Sequence, residues 1–287
     1  MTVDPSLEAP RPADGAGFSD AVTFAFGDAA ADVYGLARVG LADGAGSGLA
    51  VLFAGRSTAA ARAEGGVAVS GAGWDAVAAA GVSTAVVEPL RRWTVAFDGG
   101  ADGAFSLEFT ALGGPAEISS GGMTGYEHLC SVRGTAQVNG RSLAIACLGQ
   151  RGHSWGSPDW DRMAMARSLG AWLDPELAVV VSAIRPAKAS DHARDDVSAV
   201  VLEGSPPAPV AIAEPRLSTA YDTDGRQRRV GWELWPADEQ GYARRGAGEV
   251  LCGTSLDLGR LRLDCAFFRL RMEGRDGVGR YDVLRRT

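Results

Sequence analysis

One stretch of this chain gathers a His, two Trp, an Arg and two Asp within eleven residues. It reads Gly149-Gln150-Arg151-Gly152-His153-Ser154-Trp155-Gly156-Ser157-Pro158-Asp159-Trp160-Asp161. His153 can orient an acid or a water, or shuttle a proton near neutral pH. Asp159 and Asp161 are candidate acids, and Trp155 and Trp160 offer aromatic faces. Each residue also has a plain structural use: His153 as a hydrogen-bonded brace, Arg151 paired to one of the Asp residues, the Trp rings as core. Together, so many costly side chains in a Gly-flexed turn point to a pocket nearby.

A second group precedes it. Tyr126, Glu127 and His128 open a strand that should neighbour the motif, which makes Glu127 a further candidate acid. Its alternative is a rim carboxylate paired to Arg151 or Arg133. Tyr221-Asp222 is followed by Thr223-Asp224-Gly225, which is ordinary turn chemistry. His128 and His153 facing each other with Glu127 would make a minimal metal set, but one His per strand is thin support. Ser154 lacks the G-x-S-x-G frame and the strand-to-helix context of a nucleophile elbow. The Gly-rich stretches lack the strand, helix and Lys of a phosphate loop.

The elements that must hold these residues are strands. Trp93, Val95 and Phe97 alternate with polar or small residues, a Gly/Asp turn follows, and Phe105, Leu107 and Phe109 alternate in return. That is a hairpin. Val132 to Val138, the turn Asn139-Gly140, and Leu143, Ile145 and Cys147 form another. Leu177–Ile184, Trp232–Trp235, Leu261–Phe267 and Tyr281–Leu284 read as further strands. Helical turns are expected only at Ser57–Ala63 and Gly73–Ala80, and loops at Lys188–Asp196 and Glu203–Pro209. The fold class is all-β, of barrel or sandwich type. Residues 1–20 read as a flexible tail and the Gly/Ser/Pro-rich Gly113–Gly125 as a linker. Units over 21–120 and 121–287 follow.

Composition narrows the function classes. With 28 basic against 35 acidic residues and a net charge of −7, no basic excess exists to release phosphate counterions, which argues against nucleic acid. No apolar run of about 18 residues suggests membrane insertion. The N-terminus has no secretory pattern. Cys130, Cys147, Cys252 and Cys265 form no C-x-x-C pair and sit in apolar-alternating runs, as reduced core cysteines of a cytoplasmic protein would. Oligomeric state is not legible.

The motif Gly149–Gly156, with Asp159-Trp160 behind it, resembles that of the carotenoid 1,2-hydratase and AttH-like superfamily, including its uncharacterised actinobacterial branch. Tyr126-Glu127 and Trp93–Asp98 fit the same pattern. The resemblance implies two closely packed lipocalin-like β-barrel or sandwich units around one apolar pocket, with no metal and no organic cofactor. It implies acid-catalysed hydration, cyclisation or isomerisation of an isoprenoid-like substrate. Protonating an alkene needs a carboxylic acid kept protonated by burial, aromatic faces to steady the cation, and a dry wall. On that reading Glu127 or Asp159 is the acid and His153 its partner, while Tyr126, Arg151, Trp155 and Trp160 bind substrate. The hydratases pair His-x-Trp with Tyr-x-Asp on the next strand. Here that strand, Leu177–Ser182, has neither Tyr nor acid. The alternative is a carrier of an apolar small molecule, with the motif as an architectural brace.

Overall fold

The computed structural model describes residues 4–189, 194–237 and 242–287. Among these residues eighteen strands account for nearly all the regular structure, and none of the described helices is long and apolar enough to cross a membrane. The chain divides into two compact units, 1–115 with 123–158, and 116–122 with 159–287.

The first unit is one curved antiparallel sheet. Its strands are β1 (Ser19–Asp28), β2 (Val33–Ala42), β3 (Ala45–Ala54), β4 (Ser57–Val67), β5 (Val82–Glu88), β6 (Arg92–Asp98), β7 (Gly103–Ala111), β9 (Met123–Val138) and β10 (Arg141–Gly156), with β8 (Ala116–Ser120) belonging to the other unit. The order across the sheet is β4-β3-β2-β1-β10-β9-β7-β6-β5. The predicted hairpins are present: Trp93 faces Phe109 and Val95 faces Leu107, while Val138 faces Arg141 across Asn139-Gly140. Both turn residues have positive φ, +52° and +72°, as a two-residue hairpin turn requires. The inner face packs Phe24, Phe26, Leu52, Trp93, Phe97, Phe105 and Phe109 into one core.

The second unit is a closed eight-stranded barrel: β11 (Met163–Asp174), β12 (Leu177–Pro186), β13 (Asp196–Glu203), β14 (Ala208–Tyr221), β15 (Gln227–Pro236), β16 (Arg244–Asp257), β17 (Leu261–Met272) and β18 (Arg275–Arg286), closed by β11 on β18. Ser120 of β8 lies 2.5 Å from Ser182 of β12, hydroxyl to hydroxyl. Leu169, Val179, Val201, Leu217, Trp232, Phe268 and Val283 fill the interior, as small barrels demand. Arg167 is buried in this unit and held by Asp195 and by Thr219 Oγ1 at 3.2 Å.

Several expectations are corrected. Ser57–Ala63 lies in strand β4, because its backbone pairs with β3, from Ala54 opposite Ser57 to Leu49 opposite Ala63, rather than winding on itself. Gly73–Ala80 holds only the 3-10 turn Trp74–Ala76. The 113–125 stretch is no linker, since it contains β8 and the start of β9. The divide falls at 158/159 rather than 120/121, because β9 and β10 complete the first sheet. Of the expected tail over 1–20, the described residues from 4 on are not loose: Pro5–Glu8 forms a 3-10 turn, Glu8 is buried, and Asp20 lies in β1. Lys188–Asp196 falls partly outside the described residues. Of Glu203–Pro209, only 204–207 form the turn between β13 and β14, and Asp222 accepts the Asp224 and Arg226 amides in the turn after β14. All four cysteines are free, with burial pushing the thiols of Cys130, Cys147 and Cys265 up.

Candidate functional site

β10 lies between β1 and β9, and its register decides what shares a face. His153 stands opposite Tyr126 on one side and Val22 on the other. Arg151 stands opposite His128 and Phe24, and Trp155 opposite Asp20. Side chains alternate along a strand, so Arg151, His153, Trp155, Tyr126, His128 and Asp20 all project from one face of the first unit. Of these only Trp155 is not buried.

The cluster has an axis of three hydrogen-bonded groups. His153 Nε2 lies 2.7 Å from Asp20 Oδ1, and its Nδ1 lies 3.3 Å from the Tyr126 hydroxyl. Rings enclose this imidazole. Trp155, Trp74 and Tyr126 meet it edge to face at centroid distances of 4.9, 5.3 and 5.5 Å. With the Asp20 carboxylate accepting from Nε2–H, Nδ1 is left facing the phenol as an acceptor. Burial, only partly offset by the Arg151 charge, raises Tyr126 to about 12. The phenol therefore stays protonated at neutral pH and is available as a donor.

Beside the axis stands a buried cation. Arg151 is fully buried and pairs with Glu8, which arrives from the 3-10 turn of the N-terminal segment. Its guanidinium lies 4.9 Å from the Trp93 ring centroid and 5.3 Å from that of Tyr126. The N-terminal segment is a strap across this cluster. Tyr126 Oη lies 3.3 Å from the Leu7 carbonyl, and the Trp74 indole N–H donates to the Glu8 carbonyl at 2.8 Å. The Leu90 amide donates to Glu8 Oε2 at 2.9 Å, and the Arg11 amide to Asp20 Oδ2 at 2.6 Å.

The other expected residues lie elsewhere. Glu127 falls on the opposite phase of β9 from Tyr126 and His128 and lies over Gly152, where any β-carbon would run into its carboxylate. It therefore does not converge with His128 and His153. Among the described residues no group of three His, Cys, Asp or Glu is placed to hold a metal ion. Asp159 is exposed in the second unit, paired with Arg162 at 3.3 Å and accepting the Asp161 amide. Trp160 follows it there, half-buried. Both belong to the second unit, because the chain leaves the first sheet after Gly156. The second unit carries a separate open cleft of about 1130 Å³ over Leu217, Trp232 and Met272. Its rim charges pair off, Arg216 with Glu214 and Arg245 with Glu233.

Glu8, Asp20, Trp74 and Trp93 were not assigned to the site from sequence. The motif's own phase carries a usable signal: Arg151, His153 and Trp155 recur at every second residue, as do Asp20, Val22 and Phe24.

Residues 4–287 match a family described as a domain of unknown function, DUF7064. The chain belongs to the DUF7064 family. No curated protein sequence matches this DUF7064 chain. Its fold is that of AttH-like proteins. A Nitrosomonas europaea protein assigned as an AttH superposes with a TM-score of 0.68 at 11% identity, covering 93% of this chain and 92% of that one. Kievitone hydratase from Nectria haematococca gives 0.59 at 10%, over 94% and 89%. CghA in a complex with Sch210972 gives 0.63 at 11%, over 94% and 89%. At such identities the likeness is one of fold, and the DUF7064 site must be read from its own residues.

Proposed function

We propose that this protein performs cofactor-independent acid–base chemistry of hydratase or cyclase type on an apolar small molecule, with an isoprenoid as the substrate class. The observation that carries this reading is the buried Asp20–His153–Tyr126 chain enclosed by Trp74 and Trp155. The Asp20–His153 pair supplies a proton, directly or through Tyr126, to one carbon of a double bond. The π electrons form the new C–H bond and leave a carbocation on the other carbon. The faces of Trp155 and Trp74 stabilise it. Water adds to the cation and returns a proton to the pair, or an internal double bond adds and a neighbouring carbon loses the proton. Either way the pair is restored. Arg151 and Tyr126 position the substrate. The named activity of kievitone hydratase and the small molecule held by CghA agree with this class of reaction and ligand.

The test is turnover of a panel of C10 to C40 isoprenoids and related phenolic alkenes. Asp20→Asn and His153→Gln should each lower kcat at least 100-fold while substrate affinity changes by less than about fivefold. Such a loss is in the range for removing a general acid. Tyr126→Phe should cost less, since the Asp20–His153 pair survives.

One observation favours a second reading, a carrier without chemistry. Both nitrogens of His153 are engaged internally and the residue is buried, as in a structural brace. Under that reading the Asp20 and His153 variants lose stability and ligand affinity together, and no panel member is turned over.

A further inference from the structure

Arg151 is a buried cation of the first unit with donors to spare. Its side chain is fully buried, with Nη2 held by one oxygen of Glu8 and the guanidinium against the Trp93 and Tyr126 rings. Nε and Nη1 have no acceptor within hydrogen-bond distance among the described residues. A guanidinium presents its donors as a planar fork that matches both oxygens of one carboxylate. Glu8 does not fill that fork, because its second oxygen accepts the Leu90 amide. A buried charge with unused donors is costly.

Glu8 is also a lightly founded partner. It comes from a 3-10 turn of four residues rather than from a strand of the sheet. Through the strap, the segment that supplies the charge is the one lying over Tyr126, Trp74 and Asp20. Anything that replaces Glu8 at Arg151 therefore also loosens the cover over the Asp20–His153 pair.

We propose that Glu8 is a stand-in for the substrate, which carries its own carboxylate or similar planar oxyanion. That group displaces Glu8 and takes the fork of Arg151 between the Trp93 and Tyr126 rings. The apolar body follows toward Trp155 and His153. A neutral molecule cannot open the site this way, because removing Glu8 would leave the buried cation without a counter-charge. Selection and opening are thus one event. This inference rests on the proposed function, since it specifies the substrate of the same site.

The experiment compares farnesoic acid with its methyl ester on the full chain. Affinity is read by calorimetry and strap release by hydrogen exchange of the Leu90 amide. The acid should bind at least tenfold more tightly than the ester and should speed Leu90 exchange at saturation. Glu8→Gln keeps the shape of the turn and removes the competing charge, so it should tighten the acid further and leave the ester nearly unchanged. Arg151→Gln should erase the preference. If either variant fails to fold, the wild-type comparison decides alone. Equal binding of acid and ester with Leu90 still protected overturns the inference and leaves the apolar site standing. An acid preference that survives Arg151→Gln overturns it too. Binding of neither compound overturns both the inference and the proposed function.

Discussion

Asp20 and Glu8 reach the cluster from more than a hundred residues away in sequence, and only the β1–β10 pairing and the folded strap bring them to it. That is why His153 and Trp155 were legible as a motif while the carboxylates beside them were not. Glu127 does lie on the strand that neighbours the motif, but an odd step along a strand reverses the face. His128 offers a test at this scale. Burial, reinforced by the Arg151 charge, lowers its ring to about 3. The folded chain thus keeps it neutral where an unfolded chain takes up a proton below about 6.5. Between those values the unfolded state binds more protons, so stability falls as pH falls, by up to ~1.4 kcal/mol per pH unit from this group. Above the unfolded value the contribution is complete. His128→Phe keeps an aromatic ring between Trp93 and Tyr126, whose rings lie 5.2 and 5.6 Å from that of His128. Urea unfolding from pH 4 to 7 should show a shallower acid slope for the variant. Parallel curves would mean that His128 is not the buried neutral group.

Strands with clear alternation, such as β6, β7, β9 and β10, were readable because apolar and polar residues take opposite faces. β4 was not, since Ala-rich sequence carries little periodicity and helix propensity alone suggested turns. Two glycines on β10 and its hairpin separate two demands on an element. At Gly149 a β-carbon would run into the Ala25 carbonyl oxygen of β1 and lie 2.7 Å from Val132 Cγ2 of β9. Gly140 has open space around it but φ of +72°. Gly149→Ala forces two paired strands apart and should cost ~2–3 kcal/mol, at the upper end for overpacking. Gly140→Ala meets only the left-handed penalty of ~1 kcal/mol. The urea midpoint should fall further for Gly149→Ala. The reverse ranking would show that β1 and β10 yield there at little cost.

The two units manage their strand edges differently. The barrel has none, while the first sheet ends at β4 and β5. On β5, Val86 and Val87 are 37% and 46% exposed, and the register shifts between Val86 and Glu88. A bulge blunts an edge, and a charge does so further. Val87→Glu should change stability by less than ~0.5 kcal/mol and reduce turbidity on heating. Unchanged turbidity would place the aggregation-prone surface elsewhere. The all-β lipocalin-like class was readable from alternation and the motif. Closure of one unit and openness of the other was not, because barrel closure pairs strands far apart in the chain.

That closure sets an order of events during synthesis. The first sheet owns all its strands once Gly156 has been made. β11 emerges next, but its second neighbour is β18, and Met165 waits for Arg285. At ~5–20 residues per second this leaves β11 with one bare side for on the order of ten seconds. Over that interval an apolar strand rich in unpaired amides and carbonyls is open to a neighbouring nascent chain. Yield in the cell should then depend on translation speed and chaperone supply while β11 to β18 are made more than on the stability of the finished barrel.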